Sequence, residues 1–226
     1  MKTYIFLILF ICLTAANLFS QSAGLNFTLA FPMGEFRENV DRIGFGIAGQ
    51  FLLIIPKPGQ PFGIGLNTGF VNYGNESRRE PFSYTIPDVF VDVERSNNLV
   101  NLHLLFQIAP YKGRIRPYLE GLFGGSYLFT ETSIKSQDYS EVASSTNLED
   151  FAWSYGGGAG IMIQITNEDE QGTSIFLDIK GRYLMGTEAE YLKEGSIEII
   201  GSQVYYDITR SKTDLISGHL GIIAFF

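Results

Sequence analysis

Two histidines and four charged residues stand in the middle of strongly apolar segments. His103 lies in NLHLLFQ, His219 in SGHLGIIAFF and Glu120 in YLEGLFGG, while Asp178, Lys180 and Arg182 alternate with apolar residues in FLDIKGRYLM. Gln50 has a similar setting in GIAGQFLLI. A histidine with a serine and a carboxylate in hydrogen-bond reach could activate a nucleophile. Acids and bases along a path could select ions. The same charges, paired, could neutralise one another in a closed interior. No spacing marks a Ser/His/acid set, so neither catalytic residues nor a cofactor are expected. A metal centre is not expected either, because the chain has 2 His and one Cys, Cys12, which lies in the first apolar run.

These residues must be positioned by strands, because the segments that hold them alternate with period two. From Gly24, Leu25, Phe27, Leu29 and Phe31 interleave with Asn26, Thr28 and Ala30. The division recurs seven times, at 42–54, 62–73, 99–109, 117–130, 152–165, 175–185 and 214–226. In each, a row of large apolar residues opposes a row of Gly, Ala, Ser, Asn, Gln or charge. Gln50, His103, Glu120, Asp178, Lys180, Arg182 and His219 all fall in the second row. Arg42 also falls there, at the start of its segment.

Two all-β architectures produce eight such strands. A soluble lipid-binding barrel or sandwich buries the apolar row and exposes the other, which should then be rich in Lys, Glu and Thr. Here the second row is small and amide-rich, a composition suited to a cramped interior. A transmembrane barrel turns the apolar row to lipid and the polar row inward. The phase follows, since a charge facing the bilayer midplane costs up to about 2–4 kcal/mol. Asp178, Lys180 and Arg182 must point in.

The connections agree with this arrangement. Pro56–Pro61, Pro110–Arg116 and Asn167–Gly172 are short, as periplasmic turns are. Pro32–Asp41, Gly74–Asn98, Glu131–Asp150 and Thr187–Lys212 are long, as extracellular loops are. Trp153, Tyr155, Tyr73, Tyr127, Phe129 and Tyr183 are expected near the interfaces, where amphipathic rings favour the headgroups. At the N-terminus, Lys2, the apolar stretch Tyr4–Leu13 and the site around Ser20–Gln21 predict a signal peptide over 1–20, with one barrel domain over 21–226. Losing Lys2 takes the formal charge from −8 to −9. No basic cluster exists, and nucleic acid is excluded as a main partner.

The eight-strand pattern, the turn KGRIRPYLEG (Lys112 to Gly121) and the final strand HLGIIAFF resemble the small outer-membrane β-barrel proteins of Gram-negative bacteria, the OmpA/OmpX-like group. The resemblance covers the whole chain after residue 20. It implies residence in the outer membrane, contact with its lipid and lipopolysaccharide, and a monomer. It also implies recognition by the barrel-assembly machinery through Leu220, Ile222, Ala224 and the terminal Phe226.

An eight-strand lumen is only wide enough for side chains to fill. The leading expectation is therefore a non-enzymatic structural or surface-interaction protein acting through its extracellular loops. Asp88, Asp92 and Glu94 in DVFVDVE are the loop candidates for adhesion or cation-mediated lipopolysaccharide contact. The runner-up is a narrow or gated channel using Glu120, Lys180 and Arg182. A third reading is a lipid-modifying enzyme using His103 or His219.

Overall fold

The computed structural model describes residues 21–83, 86–135, 141–166, 172–200 and 203–226, with side chains over the same ranges except at 80–83, 86–89, 141–142, 197–200 and 203–204. The expected signal peptide, with Cys12, and the acidic turn 167–171 lie outside the described residues. The elements run in order from β1 (Ser22–Pro32) through α1 (Gly34–Asn39), β2 (Gly44–Ile54), β3 (Phe62–Ser83), β4 (Ile86–Ile108), β5 (Ile115–Lys135), β6 (Glu141–Gln164) and β7 (Ser174–Gly186) to the small strands β8 (Glu188–Tyr191), β9 (Ile197–Ile200) and β10 (Gln203–Tyr206). Two further strands follow, β11 (Thr209–Lys212) and β12 (Leu215–Phe225).

β1 to β7 and β12 close into one antiparallel barrel. Closure is by β1 on β12, in register from Ser22↔Phe225 to Pro32↔Leu215. Every other barrel pair joins neighbours in the chain, apart from β7 and β12, which the long last loop separates. The short turns are tight. At the first, Lys57 and Gln60 exchange two backbone hydrogen bonds of 2.8 and 2.9 Å around Pro58–Gly59, and Gly59 takes φ +77°, which an L side chain disfavours.

Alternation becomes sidedness. Leu25, Ile47, Leu102 and Leu119 are each about 60 % exposed on the outer wall, whereas Asp178 is wholly buried inside. Among the described residues, no outward position of the belt from Leu25 on β1 to Ala224 on β12 carries a charge. Water would penalise such a wall, and hydrocarbon suits it. No described helix is long and apolar enough to cross a membrane; the crossing is made by strands.

Four features depart from the sequence reading. β3 to β6 span 22, 23, 21 and 24 residues, about twice the 9–11 that cross a bilayer. The middle two long loops are thus largely continuations of the barrel hairpins, rising as a four-stranded wall. Register shifts at Asn72/Gly74 and Thr130/Glu131 mark where the wall leaves the barrel, consistent with the bending that bulges impose. The first loop contains α1, which places Phe36 inside. Tyr73, expected at the lipid interface, points inward and is buried, because it continues the inward row of Asn67, Gly69 and Val71 on its strand. Arg42, in the expected inward row, is instead exposed at the rim and pairs with Glu194 at 2.6 Å.

Candidate functional site

The lumen holds the charged residues in two linked groups. From β7, Arg182 reaches β5, donating from Nε to Glu120 Oε1 at 2.5 Å and from NH2 to Oε2 at 3.2 Å. Its NH1 donates to Asn67 Oδ1 on β3 at 2.8 Å. One guanidinium thus ties three strands, which its forked geometry allows and a lysine would not. Two residues earlier on the same face, Lys180 pairs with Asp178 at 2.9 Å and donates to Gln50 on β2. Tyr118 donates its hydroxyl to Asp178 Oδ1 at 2.5 Å. The two cations balance the two carboxylates, as a buried set must to escape an uncompensated charge.

The histidines stand on opposite walls, on β4 and β12. His219 has Thr28 Oγ1 at 2.9 Å from Nδ1 and Ser217 Oγ at 2.9 Å from Nε2. Hydroxyls thus occupy both ring nitrogens, and among the described residues no carboxylate orients the ring. Neither nitrogen of His103 has a hydrogen-bond partner among the described residues. The space between Thr28, Asn67, Asn101, Arg182, Ser217 and His219 is about 20 Å³, room for about one water molecule.

Apolar layers close the lumen at both ends, and sequence reasoning missed them. Towards the long loops, Phe36 of α1 is fully buried and sits edge-on between Tyr73 (5.6 Å) and Tyr191 (5.1 Å), over Leu99, Leu128 and Leu215. At the short-turn end, Phe176 and Phe225 meet at 5.4 Å with Tyr118, Met162 and Ile223. The Arg116 guanidinium lies 4.3 Å above Phe176 and 5.4 Å from Phe225. Leu52, Leu105, Leu122 and Leu184 add an inward apolar cluster. A signal was present for these leucines, since each stands in the otherwise polar row of its strand. None existed for Phe36, which is one apolar residue in a polar loop.

Of the loop candidates, Glu94 pairs with Lys135 on β5 at 2.5 Å and faces outward on the wall. Asp92 is opposite Arg79 and Lys135 in register, on the same face. The side chain of Asp88 lies outside the described residues. On the inner face of the wall, Glu76 accepts from Arg95 at 3.1 Å and from Arg78. On the last strand, Leu220 and Ile222 face outward and are each 54 % exposed; Ala224 shares their face. Phe226 follows the strand, its amide donating to Gln21 O at 2.9 Å.

No family model matches the chain, and no curated protein matches it. Among solved structures it is similar to Neisserial surface protein A, with 10 % identity, 91 % of this chain and 95 % of that one covered, and a TM-score of 0.41. It is similar to Ail, the attachment invasion locus protein of Yersinia pestis, at 14 % identity, 92 % and 97 % coverage and a TM-score of 0.35. A major outer membrane protein from Thermus thermophilus matches at 12 % identity, 92 % and 100 % coverage and a TM-score of 0.38. The fold stands on the chain's own geometry: eight closed antiparallel strands, an uncharged apolar wall and a charged, neutralised lumen. The chain is an eight-stranded β-barrel of the bacterial outer-membrane type.

Proposed function

We propose that the protein works at the cell surface as a sealed barrel, a structural or interaction protein whose contacts are made by its extracellular wall and loops. One observation carries this reading: the lumen is filled. The Glu120–Arg182 and Asp178–Lys180 groups occupy its middle, the Phe36 layer lies above, and the Arg116–Phe176–Phe225 layer lies below. Open water-filled passage needs a wider barrel. The Ser217–His219 pair is enclosed in the same interior, out of reach of a lipid substrate, which supports a non-enzymatic role.

The wall of β3 to β6 has a polar outer face that includes Ser77, Glu94, Ser96, Glu131 and Ser133, placed to meet lipopolysaccharide or a partner above the bilayer. The outward row Leu220, Ile222 and Ala224 with Phe226 fits recognition by the assembly machinery, and the protein acts as a monomer in outer-membrane lipid.

Single-channel recording of the refolded chain in a planar bilayer tests this, with folding established by slower migration on a gel after boiling. Silence from a folded barrel is expected. Regular open steps that vanish when Glu120, Lys180 and Arg182 are neutralised would overturn the reading in favour of a channel.

A further inference from the structure

A groove of about 530 Å³ lies on the outside of the barrel at its outer mouth, beside the first loop. Its lower part is apolar. Phe31 and Ile216, partners in register on β1 and β12, line it together with Ile43, just before β2, and all three are between 37 and 48 % exposed. They top the outward rows of their strands, so this part of the groove opens to hydrocarbon. Its upper part carries Arg37, Arg42 and Asp41, two cations against one anion.

Arg37 differs from its counterparts. Among the described residues, every other arginine of the extracellular end has a partner: Arg42 has Glu194, Arg78 and Arg95 share Glu76, Arg210 has Glu188, and Arg79 lies over the Phe90 ring. Arg37 has neither an ion pair nor a side-chain hydrogen bond among them. Its place is nonetheless fixed, because it follows Phe36, whose ring is held between Tyr73 and Tyr191 and anchors α1 in the mouth. Arg42 spends NH1 on Glu194, which does not line the groove.

Guanidinium forks above hydrocarbon-facing side chains suit an anion that brings its own acyl chains. A soluble anion leaves Phe31, Ile43 and Ile216 uncovered, and an uncharged lipid leaves Arg37 unpaired. We propose that the groove holds one outer-leaflet lipid by a phosphate group. The phosphate oxygens accept from Arg37 and Arg42, and the first acyl carbons lie on Phe31, Ile43 and Ile216. Asp41, on the same edge, opposes a second anionic group, so one phosphate is held. Such a site rests on the placement of the barrel in outer-membrane lipid and not on which macromolecule the wall meets.

The test is a titration of the refolded chain in dodecyl maltoside micelles, which carry neither charge nor phosphate, following the backbone amide NMR signals of Arg37, Val40 and Ile43. The probe is dilauroyl phosphatidic acid. Saturable shifts at these amides are expected, with the amides of Ile55 and Tyr111 at the opposite end unmoved. Dilauroylglycerol, which has the chains without the phosphate, should bind about tenfold more weakly, as expected for the loss of charge-assisted hydrogen bonds. Glycerol 3-phosphate, which has the phosphate without the chains, should give no saturable shifts. Arg37→Gln, exposed and outside the buried layer, should weaken phosphatidic acid by a similar factor while the barrel still shifts on boiling, and Arg37→Lys should recover only part of the loss because the fork is gone. Absence of saturable shifts with phosphatidic acid, equal binding of dilauroylglycerol, or native binding by Arg37→Gln would overturn the proposal. Saturable shifts with glycerol 3-phosphate alone would overturn it too, by assigning the arginines to a soluble anion. Each of these outcomes is separate from the silence of the folded barrel in a planar bilayer.

Discussion

Arg182 and Glu120 meet inside the barrel from strands that are not neighbours: β7 supplies the guanidinium, β5 the carboxylate, and β6 runs between them with Gly158 at their level. A Cβ at Gly158 would come within 2.9 Å of the Arg182 side chain and 3.1 Å of Glu120 Oε1. The strand between the partners is pared down to backbone so that they can touch.

Removing one partner is therefore expected to cost much more than removing both. Glu120→Ala leaves a buried guanidinium uncompensated, a loss of about 3–5 kcal/mol. Glu120→Leu combined with Arg182→Met should lie much closer to the native stability. Urea unfolding in detergent, read by gel migration, gives both values.

Glycines of the barrel divide into two groups that substitution will separate. At Gly124 a Cβ would lie 2.1 Å from the Leu102 carbonyl oxygen, a backbone atom that cannot move aside. Gly124→Ala is expected to prevent refolding or lower stability severely. On the outer wall Gly218 has nothing within 4 Å, and Gly218→Ala should refold as the native chain does. The yield of the heat-modifiable band distinguishes them.

Phe36 is the keystone of the outer layer. Truncation of a buried Phe to Ala costs about 3–5 kcal/mol where the surroundings do not collapse. In this fold the loss falls on the loop layer, since the barrel strands are hydrogen-bonded without it. Phe36→Ala should make residues 33–42 cleavable by protease while the barrel band persists, and planar-bilayer recording of the variant shows whether the deeper ion pairs alone keep the lumen closed.

Trp153, the single tryptophan of the chain, stands on the outer wall 55 % exposed, stacked on Phe123 at 5.8 Å and edge-on to Phe151 at 5.4 Å. In lipid it should sit near the headgroup level. Folding into vesicles should move its emission to shorter wavelength, and bromine placed high on the acyl chains should quench it more than bromine near the midplane.

Much of the fold was legible in the residues because lipid and lumen impose opposite demands on alternate positions. Leu25, Phe27, Ile47, Leu102 and Leu119 could only face out, and Asp178, Lys180 and Arg182 could only face in, once one face had to be hydrocarbon. That determined the strand count, the phase and the inward position of every charge in the barrel belt. Pairing was another matter. Whether Glu120 meets Lys180 or Arg182 depends on the stagger of strands around the closed barrel, a property of eight strands at once that no single segment records. The same holds for Phe36, whose burial exists only because Tyr73 and Tyr191 arrive from distant parts of the chain to enclose it. Alternation is a local consequence of the pleat, and the sequence carries it whole. The partners inside the lumen and the apolar layers that cap it arise from long-range contacts, and tertiary structure alone decided them.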